Sequence, residues 1–179
     1  MKILGTTFNN SLSWDSNTED LVKRVNKRML LLKKIKSFGA PTADMVDLWK
    51  TYCRSILEQS AVVWGPSLTE QNKHDLERTQ KSFAKFILKN KYKDYEDSLI
   101  QLNLETLEER RQSLTLKFAK DCIKNEKFKY MFPENEYPDK ITTRYQEKYK
   151  VPFANTDRMK NSSIVHMINQ LNQEERNKV

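Results

Sequence analysis

Few side chains in this sequence are spaced for covalent or metal chemistry. The two histidines, His74 and His166, and the two cysteines, Cys53 and Cys122, all stand far apart. A structural zinc site draws its ligands from closely spaced pairs, and none exists here. No serine or cysteine nucleophile stands beside either histidine in sequence, so both read as surface or helix-face residues. The cysteines fall among apolar residues at helical spacing and read as buried thiols. Glu108 and Glu109 are adjacent, and neighbours on a helix point about 100° apart, which suits no acid–base pair. Glu109 reads better as a cap. Gly5, Gly39 and Gly65 are the only glycines and lie too far apart for a Gly-rich phosphate loop. No catalytic residue, metal ligand or cofactor site is expected.

The cations are the remaining chemistry. Lys and Arg number 32 against 24 Asp and Glu, a formal charge of +8. The excess is segregated. At helical spacing Lys23, Lys27 and Lys34 share one stripe, and Arg78, Lys81, Lys85 and Lys89 share another. From Arg78 to Lys93 there are six basic residues and no acid; from Asp94 to Glu109 there are six acids and no base. Cations one turn apart can follow phosphates and release their counterions, although a lysine-rich face also arises simply as a solvated one.

Those stripes need helices to carry them. With 3 glycines in 179 residues the chain is poor in the turns an all-β domain consumes, so the expected fold is mainly α, a bundle of about four helices. Residues 2–8 read as one lone strand without partners, the residual end of a larger sheet over 1–14. A first helix starts near Ser16 on a Ser16–Glu19 capping box, with Leu21, Val25, Met29, Leu32 and Ile35 inward. A second runs from Thr42 to Val62, burying Met45, Leu48, Trp49, Tyr52, Ile56 and Ala61. A third follows Thr69 to about Lys89, with Leu76, Gln80, Phe83 and Ile87 inward. A Thr106–Glu109 box starts a fourth, running to about Asn125 with Leu107, Leu114, Phe118 and Cys122 inward. The helical domain thus spans 15–127. Region 128–179, with Pro133, Pro138 and Pro152 among aromatics and charges, reads as irregular, ending in a short helix over 163–174. The longest apolar runs, Met29–Leu32 and Ala61–Trp64, are too short to span a bilayer. No secretory signal is seen, so an intracellular, reducing location without membrane contact is expected.

Tyr52, Arg54-Ser-Ile-Leu-Glu58, Val63-Trp-Gly-Pro66 and Leu76-Glu-Arg-Thr-Gln-Lys-Ser-Phe83 occur in that order. Leu4-Gly5 and Leu12-x-Trp14 precede them; Leu102-Asn-Leu-Glu-Thr-Leu-Glu-Glu-Arg-Arg111 follows, then Tyr149 to Arg158 and Asn161-Ser-Ser-Ile164. This order resembles the thumb and carboxy-terminal region of reverse transcriptases from non-LTR (LINE-type, jockey-like) retrotransposons. The resemblance covers nearly the whole chain. It implies an RNA-directed DNA polymerase parent whose thumb grips the template–primer duplex by its backbone, without reading sequence. The polymerase carboxylates of that family, an aromatic-x-Asp-Asp with a further aspartate, have no counterpart, since the sequence contains no Asp-Asp pair. Gln59 also departs from the family, which commonly has an aromatic residue there. The expectation is therefore a fragment that does not polymerise by itself, with an RNA/DNA duplex, and the palm and fingers it lacks, as partners. The seven stripe residues are the candidate phosphate contacts. Two alternatives stand beside it: a helical protein-interaction module, suggested by Leu30 and Leu31 off the main apolar stripe of the first helix, and a decayed remnant without function.

Overall fold

A two-residue turn sets the start of the fold. The computed structural model describes residues 1–11, 13–136 and 147–178; Leu12 and Pro138, named above, lie outside them. Strands β1 (Lys2–Ile3) and β2 (Thr6–Thr7) pair antiparallel, with Lys2 opposite Thr7 and Ile3 opposite Thr6. The turn between them holds Leu4 at φ 47° and Gly5 at φ 85°, the doubly positive backbone of a tight hairpin. The expected lone strand is therefore a hairpin that pairs with itself. Leucine is an unusual residue for that turn, which hid it from the sequence. A Cβ on Gly5 would sit 2.5 Å from Gln59 Nε2, and that amide donates to the Leu4 carbonyl at 2.8 Å. Gln59 thus clamps the hairpin.

Helix α1 (Asp15–Ser37) begins one residue earlier than expected, and the Ser16–Glu19 box does not form. Asp15 takes the first turn instead, accepting from Ser13 Oγ at 2.7 Å and Asn72 Nδ2 at 2.9 Å. Leu21, Val25, Met29 and Leu32 are buried as their spacing predicts, with Ile35 half-buried.

The expected second helix is not one regular helix. It comprises α2 (Thr42–Leu48), a π-helical stretch over Trp49–Arg54 and α3 (Ser55–Glu58). It then breaks at Ser60, whose φ is 55°, before α4 (Ala61–Trp64). Thr51 and Ser55 hydroxyls donate to carbonyls four residues back, at 2.8 and 2.6 Å, competing with the backbone ladder there. The wider turn rotates the helix face. Tyr52 consequently lies exposed, under the Arg28 guanidinium at 4.1 Å, while Cys53 and Leu57 take the buried positions.

Helix α5 (Glu70–Leu88) is capped by Thr69 and buries Leu76, Gln80, Phe83 and Ile87, as expected. The acidic run holds a helix the sequence did not reveal, α6 (Tyr95–Leu102), capped by Asp94 and ended by Asn103 at φ 49°. Helix α7 (Leu107–Lys124) opens on the predicted box: Glu109 N–H donates to Thr106 Oγ1 at 3.1 Å and Thr106 N–H donates to Glu109 Oε2 at 3.0 Å. Phe118, expected inward, is exposed. Beyond it come α8 (Asp157–Lys160) and α9 (Ser163–Arg176). The fold is mainly helical, with more helical segments than the four expected. Among the described residues no helix is long and apolar enough to cross a membrane.

The chain forms two compact units, one of Met1–Ala61 with Leu68–Arg111, the other of Val62–Ser67 with Gln112–Val179. In the first, Trp49 stacks on Phe83 at 4.6 Å, and Leu21, Leu32, Met45 and Leu76 are buried. In the second, Ala119, Cys122, Phe132, Tyr149, Met167, Ile168 and Leu171 form the core. There the buried Asn172 amide acts as a strand partner: its Oδ1 accepts from Tyr149 N–H and its Nδ2 donates to Tyr149 O, both at 2.9 Å. Asn172→Ala should destabilise this unit by about 2–3 kcal/mol, since it strands two buried backbone groups. Urea denaturation measures the loss, and faster amide exchange at Tyr149 locates it.

Candidate nucleic-acid interface

Gln80, Glu77 and Glu58, from the runs quoted above, are engaged in polar networks inside the first unit. Gln80 is fully buried. It accepts from Trp49 Nε1 at 3.2 Å and donates to Tyr95 Oη at 3.0 Å and to the Glu105 carbonyl at 2.8 Å. Tyr95 in turn donates to Glu77, whose carboxylate caps α7 by accepting Leu107 N–H at 3.1 Å. Burial first, and then the Glu77 hydrogen bond, push the Tyr95 phenol well above its usual range. Glu58 receives Arg110 through two bonds, of 2.9 and 3.3 Å, and Arg54 Nε at 3.3 Å. The hydrogen bond Arg110 donates to Glu58 chiefly raises Arg110, whereas burial chiefly lowers Arg54. These residues serve as scaffold.

The other single residues also lack catalytic settings. Cys53 and Cys122 are free, buried thiols; desolvation pushes Cys53 up to about 11, leaving it protonated and unreactive at neutral pH. His74 is exposed, with Asp75 at 3.8 Å. Among the described residues no group of three or more His, Cys, Asp or Glu could hold a metal ion.

The cation stripes sit in different surroundings. Lys23, Lys27 and Lys34 are exposed on α1, and Lys23 is paired with Glu19 at 2.7 Å. Arg78, Lys81 and Lys85 are exposed on α5, with Lys89 in the turn that ends it. Of the seven, only Arg78 lines the groove of about 690 Å³ between α1 and α5, and Asp15, Glu19 and Asp75 line it too. Three carboxylates against one guanidinium would repel phosphate, so the groove itself is no backbone cradle.

The outer side of α5 differs. Arg78, Lys81, Lys85, Lys89, Lys91 and Lys93 are all exposed. Among the described residues none of the six has a carboxylate in ion-pair range. Lys85 lies over the Tyr92 ring at 5.4 Å and Lys81 over Tyr95 at 5.7 Å. Lys91, Lys93 and Tyr92 thus extend the site beyond the predicted stripe. The acid-free run from Arg78 to Lys93 was the available signal for them. No protein-family model, curated protein or solved structure matches this chain. The site therefore rests on its own geometry.

Proposed function

We propose that the chain binds an RNA/DNA duplex through its phosphates, as the thumb-like part of a non-LTR reverse transcriptase would. The observation that carries this reading is the row of exposed lysines, Lys81, Lys85, Lys89, Lys91 and Lys93, with no carboxylate in ion-pair range among the described residues, along α5 and the turn after it, with Arg78 at its start. Ammonium groups without a carboxylate beside them exchange counterions for phosphates at little cost, whereas Lys23 must first leave Glu19. The α5 side is therefore the preferred face, with Lys27 and Lys34 as secondary contacts. Such contacts position a duplex without reading bases. On this reading the chain supplies grip and no polymerising carboxylates.

Arg78→Glu/Lys85→Glu/Lys89→Glu should lower affinity for a fluorescein-labelled RNA–DNA hybrid by at least about 100-fold. The slope of log affinity against log salt should flatten by about 0.9 for each phosphate that the variant no longer neutralises. Anisotropy titrations across a salt series read both quantities. Unchanged affinity would overturn the proposal. The second reading, a protein-interaction module, is favoured by Leu30 and Leu31, which are 61% and 45% exposed on α1; a salt-insensitive self-association would support it.

A further inference from the structure

The duplex reading leaves the exposed aromatic residues of the second unit unused. Phe128, Tyr130 and Phe153 are 45%, 77% and 88% exposed, and they fall within Lys127-Phe-Lys-Tyr130 and Lys148-Tyr-Lys-Val-Pro-Phe153. Backbone pairing joins the second run to Pro133–Asn135, the segment that follows the first run and the 3-10 turn at Lys129–Met131. Lys150 N–H donates to Pro133 O at 2.8 Å, Asn135 N–H donates to Lys148 O at 2.9 Å, and Glu134 bridges antiparallel to Tyr149. Tyr130 and Phe153 each stand three residues from this pairing, within about 10 Å along the chain.

The ribbon sorts its rings. Phe132 and Tyr149 turn into the core, while Phe128, Tyr130 and Phe153 stay in solvent. Lys127, Lys129 and Lys150 are exposed beside them, and Lys124 and Lys148 reach Asp121 and Glu134 only at 3.9 Å. Of the nearby acids, Glu134 faces Lys148 and Glu147 faces Arg176 at 3.5 Å; Glu126 and Glu136 are exposed. Exposed rings interleaved with exposed ammonium groups match single-stranded nucleic acid, whose bases stack on aromatics while its phosphates follow lysines. A duplex keeps its bases stacked internally and offers such rings nothing.

We propose that this ribbon binds single-stranded RNA or DNA without sequence preference, by stacking on Phe128, Tyr130 and Phe153. It shares no residue with the duplex face, so either proposal can fail alone. The test uses the full chain and a fluorescein-labelled oligothymidylate of about 16 nucleotides. Phe128→Ala/Tyr130→Ala/Phe153→Ala should weaken oligomer binding by at least about 100-fold, given roughly five- to 150-fold per stacked base. Affinity for the RNA–DNA hybrid should change by less than about twofold, because the α5 cations are untouched. Separately, the indole of Tyr130→Trp should be quenched as the oligomer is added, a readout that needs no loss of function. Failure of the unaltered chain to bind the oligomer would overturn the proposal, as would absent quenching. Undiminished oligomer binding by Phe128→Leu/Tyr130→Leu/Phe153→Leu would also overturn it, because leucine cannot stack on a base.

Discussion

Gln80→Leu should cost the first unit about 3–5 kcal/mol and lower its melting temperature by more than about 10 °C. Leucine fills much the same space but offers no amide. Trp49 Nε1–H, bonded to Gln80 at 3.2 Å, would then be buried without an acceptor, and the Glu105 carbonyl would lose its 2.8 Å donor. Each orphaned group costs about 1–3 kcal/mol, because the site is closed to replacement water. Removing the second partner separates this from a packing defect. Trp49→Phe in the Gln80→Leu background should cost less than Trp49→Phe alone by about 1 kcal/mol or more, since the stranded N–H goes with the indole. Additive losses, or a neutral Gln80→Leu, would show that the network adds little.

The second large effect is expected at Glu58. Glu58→Gln should destabilise the first unit by about 2–4 kcal/mol, below the figure for a fully buried pair because these side chains retain some solvent contact. Arg54 and Arg110 both approach Glu58 Oε1, at 3.3 and 2.9 Å. Both guanidiniums stay charged at neutral pH, so removing the carboxylate's charge leaves two like charges sharing one acceptor side chain. Glu105 Oε2, 3.7 Å from Arg110, is a weak substitute. Salt should restore part of the loss by screening the two arginines, whereas it should leave the Gln80→Leu defect unchanged. Denaturant melts of both variants at low and high salt test that contrast.

Both networks come from residues that the motif order had already singled out. The sequence put Glu58 within Arg54-Ser-Ile-Leu-Glu58 and Gln80 within the Leu76–Phe83 run, but did not show what they touch. Their partners, Arg110 and Tyr95, arrive from elsewhere in the chain, and single-sequence periodicity carries no information about such pairings. The same division explains the misplaced faces. Spacing found the buried line of α1 and of α5, because both helices keep the regular period. It misplaced Tyr52, because the π-helical turn at Trp49–Arg54 breaks that period.

By itself, then, the sequence determined the mainly helical class, the Thr106–Glu109 cap, the faces of α1 and α5, and the segregation of charge into stripes. These are local properties, set by residues within a turn or two of each other. Only the tertiary structure decided which cations are free. Among the described residues Lys81, Lys85, Lys89, Lys91 and Lys93 stand outside ion-pair range of any carboxylate, while Lys23 has Glu19 beside it and Arg78 lines an acidic groove. It likewise decided that the first residues close on themselves as a hairpin under Gln59, and that Pro133–Asn135 pairs with Lys148–Lys150, which ties the two aromatic runs to one backbone ribbon. Ionic neighbours and strand partners are fixed by packing across the chain, where long-range contacts outweigh local preference.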